Sequence, residues 1–295
     1  MTTKFEDLTI QNNFLFQHVM KNERICKRLI EELLNIKIAS LTYHHTEETI
    51  ENSADSRGIR LDVIVADEKH THYNLEMQVE NRKSKATGEP LLPKRTRYYQ
   101  SSLDMDLLTK GQDFDKLSPT YIIFICAFDL FGEGRYVYTF KSRCLESPDL
   151  ELNNGATVTI INSLGVKGDI SPRAKSFLEY VNDKIVRDAF TKEIAEEVTR
   201  VKRSSEVRRQ YMLLEMKLHD ARMDGREEGL AAGREEGLVE GLETGREEGR
   251  VKRNYEIALK MLKYKESLAK IIAYADLSKE EIYALAQANG LEVVE

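Results

Sequence analysis

The sequence is poor in cysteine and has no long apolar run. Its 295 residues include only Cys26, Cys126 and Cys144, whose odd number and wide spacing argue against a disulfide framework and against a cysteine-based metal site. We therefore expect all three to be small buried residues. No apolar run approaches the roughly 18 residues that cross a bilayer, and the opening MTTKFEDLTIQNN lacks the charged-then-apolar order of a signal peptide. These absences predict a cytoplasmic protein.

An overall positive charge is also missing. The chain has 44 Lys and Arg residues against 50 Asp and Glu, a formal net charge of −6, which gives no general support for nucleic-acid binding. The segment 82–97 differs from this average, because its only acidic residue is Glu89. Its basic residues are Arg82, Lys83, Lys85, Lys94, Arg95 and Arg97. This segment is expected to attract phosphate.

Histidine forms no metal-binding pattern. His44 and His45 are neighbours in a predicted strand, and His70 and His72 lie in or next to a predicted turn. None of these spacings matches the helical histidine pair of a zinc site. We expect these four histidines to be surface residues.

Apolar periodicity predicts an α/β protein. The composition, 41% hydrophobic and 32% charged, is that of a globular chain long enough for one large domain or two smaller ones. Helical spacing predicts a helix over 12–35 that is broken near Asn22, a helix from Pro93 to a glycine cap at Gly111, and a helix from Ser171 to Lys184. Strand alternation predicts strands over 38–45, 60–66, 74–80, 121–128, 135–140 and 157–162. The run 121–128 is apolar throughout, as in a strand buried on both faces. This order predicts a mixed sheet flanked by helices.

The stretch NLEMQVE, residues 74–80, alternates polar and apolar side chains. In a strand, Glu76 and Gln78 share one face with Asn74 and Glu80, and the apolar side chains share the other. If the strand 60–66 forms a hairpin with it about Lys69, then Asp62 lies directly opposite Glu76. Directly opposed residues have Cβ atoms about 5 Å apart, so two like charges would meet.

Two carboxylates this close need a shared proton or a cation. Their hard oxygens suit Mg²⁺ or Mn²⁺, which accept one or two carboxylates together with waters and phosphate oxygens. Such an ion would make a hydrolytic site, with Gln78 placed to orient the attacking water. The alternative is that Asp62 and Glu76 are ordinary carboxylates on the solvated face of a hairpin.

Glycine recurs at every fourth residue in the C-terminal third. The repeat comprises Gly225, Gly229, Gly233, Gly237, Gly241, Gly245 and Gly249. On a helix these positions trace a stripe that drifts about 40° per step, while each interior glycine costs about 1 kcal/mol relative to alanine. Close packing against a second helix would offset that cost. We expect a helix that dimerises, the alternative being a flexible low-complexity linker.

The last 40 or so residues are amphipathic. Ser278 and Glu281 match a capping box, which predicts a short terminal helix over 280–288. Small helices here could form a helix-turn-helix motif, but the last of them has few Lys or Arg residues. We expect a small packing module.

Three blocks in order carry a family resemblance: RGIRLDVIVADEKHTHYNLEMQ, LPKRTRYYQSSLDMDLLTKGQDFDKL and YIIFICAFDLFGEGRYVYTF. Together they resemble the PD-(D/E)XK nuclease family transposases, also called recombination-promoting nucleases, over residues 12–180. The glycine repeat and small C-terminal module also look like that family. The resemblance implies a restriction-endonuclease-like core, metal-dependent DNA cleavage and a link to recombination or mobile elements in bacteria.

The resemblance also assigns roles to particular residues. Asp62 stands at the first metal-binding aspartate and Glu76 at the second acid, so both are predicted catalytic metal ligands. Gln78 occupies the position of the superfamily's lysine and is the third predicted catalytic residue. Since glutamine carries no charge, transition-state stabilisation must come from the metal or elsewhere. The predicted substrate-binding residues are Arg97, as the main phosphate contact, with Lys94, Arg95 and Tyr98.

One departure concerns the first helix. Related sequences often carry an acidic residue near its start, whereas this chain reads QNNFLF there. Asn13 could ligate a metal only weakly through its amide oxygen. Glu80, one strand repeat beyond Gln78, is an alternative that would compensate for the missing acid.

The complete prediction is an α/β chain with a restriction-endonuclease-like core followed by an all-α extension. Its expected domains are a nuclease-like domain over 1–190, a helical linker over 191–253 and a helical module over 254–295. The expected activity is that of a Mg²⁺-dependent DNA endonuclease that forms a homodimer through its C-terminal helices. The alternative is a catalytically weak DNA-binding or scaffold protein. A complete transposase is disfavoured, because no strand-transfer or end-recognition domain can be identified.

Overall fold

The protein is described by a computed structural model that covers residues 3–43, 49–50, 59–60, 62–108 and 111–295. It divides into two compact units, one ending at Glu215 and the other beginning at Met216. The elements of the first unit are α1 (Asn13–Met20), α2 (Glu23–Leu34), β1 (Leu41–Tyr43), β2 (Thr49–Ile50), β3 (Ile59–Arg60), β4 (Val63–Asp67), β5 (His72–Gln78), α3 (Leu92–Leu107), β6 (Thr120–Cys126), β7 (Val137–Phe140), β8 (Ala156–Asn162), α4 (Pro172–Asp183), α5 (Ala189–Arg203) and the start of α6 (Ser205–Lys263).

A six-stranded mixed sheet forms the centre of the first unit. Its strand order is β1-β4-β5-β6-β8-β7, and β2 pairs separately with β3. Strands β5, β6 and β8 run parallel, whereas β1, β4 and β7 pair antiparallel with their neighbours. The predicted fold class, a mixed sheet flanked by helices and followed by a helical C-terminal region, is confirmed.

Apolar side chains cover both faces of the sheet. On one face, Leu75 and Met77 of β5 belong to a core that includes residues of α1, α2, α4 and α5. On the other face, Phe124 of β6 packs in a second core with Tyr99 and Leu103 of α3. This two-sided cover explains why the apolar run of β6 is buried on both faces, as its sequence predicts.

The predicted helix starts coincide with side-chain caps. Asn12 accepts a hydrogen bond from the backbone of Leu15, and Asn22 caps α2 in the same way, so the predicted break near Asn22 is confirmed. Ser171 caps α4 ahead of Pro172. These caps satisfy backbone N–H groups that have no partner within the helix.

Several predicted boundaries are wrong. The strand predicted over 60–66 is interrupted, because Asp62 forms a bend ahead of β4 and its backbone N–H donates to a side chain. Strand β1 is short, and the histidines predicted at its end lie outside the described residues. Helix α3 ends at Leu107 and not at Gly111, since Leu108 is already extended.

Two predictions of burial are also wrong. Cys26 and Cys126 are buried free cysteines, but Cys144 is only half-buried. His72, expected on the surface, is buried because it is the first residue of β5 and not part of the turn. His70 does lie in the turn, with a φ of 60°.

The first unit extends past residue 190, the expected boundary. Phe190, Ile194 and Val201 of α5 and Tyr211 of α6 all belong to its core. Their burial makes α5 part of the sheet-containing unit and not the start of a linker.

The second unit is helical. It contains the remainder of α6 together with α7 (Leu268–Ala275) and α8 (Lys279–Ala288). A small core joins Leu262, Ile271 and Ile282 from these three helices, and the capping box predicted at Ser278 and Glu281 is present. Among the described residues, no helix has the length and apolar character to span a membrane.

Candidate active site

The β4–β5 hairpin brings two acidic residues together. Val63 pairs with Leu75 and Ala66 with His72, which is the register predicted for a turn about Lys69. Continued by one residue, this register sets Asp62 opposite Glu76. Hydrogen bonds join the two sites: the Asp62 backbone N–H donates to Glu76 Oε1 at 2.9 Å, and the Met77 N–H donates to Asp62 Oδ2 at 3.2 Å.

Both carboxyl groups are buried. Asp62 is 4% exposed and Glu76 is 2% exposed, so the alternative of two solvated surface carboxylates is wrong. The polar face of β5 lies on the same side of the sheet as α3, whose Tyr99 packs against Phe124 in the neighbouring strand. Even Asn74 is fully buried there.

Burial makes the ionised state of Glu76 costly. It raises the pKa of Glu76 well above the ordinary value of 4.5, and the nearby Asp62 charge raises it further. The Asp62 N–H and the Arg95 charge oppose this rise but do not cancel it. The pair therefore has a strong electrostatic need for a proton or a cation.

Gln17 is a site residue that the sequence analysis missed. It lies on α1, and its side chain is buried. Its Nε2 donates to Asp62 Oδ1 at 2.9 Å. The sequence pattern had pointed to Asn13 as a weak amide ligand at the start of this helix, and Asn13 is exposed. The available signal was the pair of polar residues, Gln17 and His18, within the otherwise apolar helix stretch FLFQHVM. Gln17 lies one turn after Asn13 and reaches the site.

Arg95 contacts both Gln78, at the position of the superfamily's lysine, and the buried Glu76. Its Nη1 donates to Gln78 Oε1 at 2.7 Å, and its Nη2 lies 3.9 Å from Glu76 Oε2. The other amide atom of Gln78, Nε2, donates to the Glu80 carbonyl at 2.7 Å. Both ends of the Gln78 amide thus have protein partners.

The other predicted residues lie farther out. Lys94, Arg97 and Tyr98 are exposed on α3, and Lys94 pairs with Glu89. Glu80 is exposed beyond the end of β5 and pairs with Arg82. The structure therefore brings together Asp62, Glu76, Gln78 and Arg95 with Gln17, and leaves these other residues at the surface.

Comparison with protein families assigns this chain to a family. The sequence model of the PD-(D/E)XK nuclease family transposases matches residues 11–162, which include the hairpin, α3 and the strands up to β8. The chain belongs to this family. Comparisons with curated proteins and with solved structures gave no match. The family assignment indicates a nuclease related to transposition or recombination, with DNA as its substrate.

PD-(D/E)XK nucleases generally use divalent metal ions, and the residues present fit such an ion. Asp62 and Glu76 supply hard carboxylate oxygens on adjacent strands, and a cation would relieve their mutual repulsion. Among the described residues no cluster of three or more His, Cys, Asp or Glu side chains could hold a metal. Two carboxylates suit Mg²⁺, which commonly keeps several waters.

A substitution at Gln17 tests its support of the aspartate in this PD-(D/E)XK protein. Gln17→Leu removes the donor to Asp62 Oδ1 and leaves a buried charge with one partner fewer. We expect the free energy of unfolding to fall by about 1–3 kcal/mol, measured by urea denaturation. Asn13→Ala, on the exposed face of the same helix, is the control and should change little. Equal stability of Gln17→Leu and the native chain would rule out this role.

The raised pKa of Glu76 predicts a pH-dependent stability. The folded chain holds this proton more tightly than the unfolded chain, so the contribution is complete below the ordinary value of 4.5 and is lost as the pH rises towards the raised pKa. Glu76→Gln should therefore lose stability less steeply over this window and unfold at a higher urea concentration than the native chain at neutral pH. The measurement is the urea midpoint from pH 4.5 to pH 8 with chelator present.

The matched control for that series is Glu80→Gln, an exposed acid two residues beyond the end of the same strand. It should keep the pH dependence of the native chain. If Glu76→Gln and the native chain gave parallel curves, the buried carboxyl would not be the group that titrates.

Proposed function

We propose that this protein is a Mg²⁺-dependent DNA endonuclease that hydrolyses phosphodiester bonds, with Asp62 and Glu76 as the metal ligands. Mn²⁺ is an alternative ion for the same oxygens. The observation that carries the proposal is the burial of two opposed carboxyl groups at 4% and 2% exposure, in a family of metal-dependent nucleases. Strongly perturbed carboxyl pKa values cluster at functional sites, and the raised pKa of buried Glu76 fits that pattern.

The roles of the chain's own residues follow from their contacts. Asp62 and Glu76 would hold the ion, which when bound polarises a phosphodiester and lowers the pKa of a bound water. Gln17 keeps Asp62 oriented through its hydrogen bond. Gln78 and Arg95 form the edge of the site on the side of α3.

The exposed residues of α3 are proposed to contact the DNA backbone. Lys94, Arg97 and Tyr98 lie on the surface of the helix that also carries Arg95. Lysine and arginine side chains neutralise phosphates without reading base sequence. They would position the duplex and leave the chemistry to the buried acids.

The protein is further proposed to act as a homodimer in the cytoplasm. Every residue from 216 to 253 of α6 is exposed. Each repeat glycine lowers the stability of the helix, and no other part of the described chain lies within 4 Å of the position that its Cβ atom would occupy. A second copy packed on this stripe would supply the missing contacts. The three free cysteines fit a reducing compartment.

The test is cleavage of supercoiled plasmid DNA by the full chain with Mg²⁺, with Mn²⁺ and with chelator. The proposal requires metal-dependent conversion to nicked or linear DNA. Cleavage that persists in chelator would contradict the metal role. Loss of that cleavage in Asp62→Asn would assign the activity to the buried acids.

A second candidate function is a catalytically weak DNA-binding or scaffold protein. The observation that favours it is the engagement of both Gln78 amide atoms with Arg95 and Glu80, at a position where the family motif has lysine. DNA binding without cleavage in either metal would support this candidate over the endonuclease.

A further inference from the structure

The glutamine at the motif's lysine position is held by a cation from another element. Gln78 is neutral and can offer a phosphate only a weak dipole. Its Oε1 accepts a hydrogen bond of 2.7 Å from Nη1 of Arg95, which lies in the first turns of α3. A positive charge is thus present beside position 78, although the residue at that position has none.

Four further contacts fix the Arg95 guanidinium. Nη2 donates to the Tyr99 hydroxyl at 2.8 Å, and the guanidinium carbon lies 5.2 Å from the Tyr99 ring centre and 5.5 Å from that of Phe124. Nη2 also lies 3.9 Å from Glu76 Oε2. Stacking on two rings and two hydrogen bonds hold a planar group with little freedom. This charge is therefore pre-organised next to the buried acids.

The same guanidinium remains accessible. The Arg95 side chain is 37% exposed, whereas its partner Glu76 is 2% exposed. Gln78 and Tyr99 use two of the five N–H bonds of an arginine fork, which leaves donors for another anion. Two other basic residues of the segment 82–97 form ion pairs with nearby acids, Lys94 with Glu89 and Arg82 with Glu80.

We propose that Arg95 is the catalytic cation of this enzyme and replaces the motif lysine, with Gln78 as the positioning residue that aims it. This inference rests on the proposed nuclease function. In hydrolysis a water gives up one proton to bulk solvent as its oxygen bonds to phosphorus, the bond from phosphorus to the leaving sugar oxygen breaks, and solvent supplies a proton to that oxygen. Arg95 keeps its own protons and stabilises the charge that grows on the phosphate oxygens.

The test compares three variants under saturating DNA and metal. Arg95→Gln removes the charge and should lower the cleavage rate by about 100-fold, the typical effect of losing one transition-state donor. Arg95→Lys should restore part of the rate. The decisive variant is Arg95→Gln combined with Gln78→Lys, which returns a cation to the motif position and should regain about 10-fold or more over Arg95→Gln alone.

Two measurements are independent of cleavage. Binding of a fluorescent DNA duplex in Ca²⁺ should show a salt dependence reduced by about one phosphate contact in Arg95→Gln. Mn²⁺ binding, followed by calorimetry, should be retained. Arg203→Gln, which makes the same chemical change at an exposed position at the end of α5, is the control for both cleavage and folding.

The outcomes separate this inference from the function on which it rests. If the native chain cleaves DNA and Arg95→Gln cleaves it at the same rate, the role of Arg95 is overturned while the proposed nuclease function stands. Failure of Gln78→Lys to improve Arg95→Gln, or loss of Mn²⁺ binding in Arg95→Gln, would show that the arginine supports the fold of the site and does not replace lysine. Absence of native cleavage would overturn the proposed function, and this inference with it.

Discussion

Asp62→Asn is expected to reduce Mg²⁺-dependent DNA cleavage by at least about 100-fold, because it removes a charged ligand from the pair that would hold the ion. The variant should still fold, since asparagine keeps an oxygen that can accept from Gln17 Nε2 or the Met77 N–H. It should also bind Mn²⁺ more weakly. The measurements are plasmid nicking at several metal concentrations, calorimetric Mn²⁺ titration and thermal melting.

The matched control for this variant is Asp106→Asn, which makes the same chemical change at an exposed position of α3. Its cleavage should equal that of the native chain. If Asp62→Asn also cleaved at the native rate while folded, the assignment of the buried acids as the catalytic centre would be refuted. A rate that recovers at high Mn²⁺ concentration would show that the loss lies in metal affinity.

Replacing three glycines of the α6 stripe is expected to halve the particle mass. Gly233→Gln, Gly237→Gln and Gly241→Gln together place side chains where a second helix would pack. They also raise the helix preference of the free chain by about 2 kcal/mol in total, so helicity should hold or increase. Light scattering should give two chains for the native protein and one for the variant, with circular dichroism reporting the helix content.

The control for the stripe lies on the opposite face of the same helix. Glu227→Gln, Glu235→Gln and Glu243→Gln each lie two residues from a repeat glycine, about 200° around the helix. This variant should remain dimeric. If the native protein has the mass of one chain, dimerisation is contradicted. If the glycine variant has the mass of two chains, the dimer interface does not lie on the glycine stripe.

Local sequence pattern predicted correctly those features that depend only on residues close together in the chain. The spacing of Asp62 and Glu76 about Lys69 predicted their register, because a strand pair joined by a short turn has few ways to align. The helix starts at 12 and 171 and the break near Asn22 were also predicted, since the capping side chains there lie only a few residues from the N–H groups that they satisfy.

The choice between Arg95 and Arg97 shows where local pattern was insufficient. Residues two apart on a helix point about 200° apart, so only one of them can face the sheet. Arg97 was predicted as the main phosphate contact and Arg95 only as an additional one, whereas the structure places Arg95 against Glu76. The signal was present in the stripe of Leu92, Tyr99 and Leu103, which shares a helix face with position 95.

The sequence by itself determined the fold class, the hairpin register and the long helix of the glycine repeat, because each follows from periodicity, turn length or capping along one stretch of chain. Tertiary structure alone decided that Asp62 and Glu76 are buried, that Gln17 supports the aspartate and that Arg95 reaches Gln78. Those three features depend on how α1 and α3 dock on the sheet. Docking is set by side-chain packing between segments far apart in the chain, and no local period encodes it.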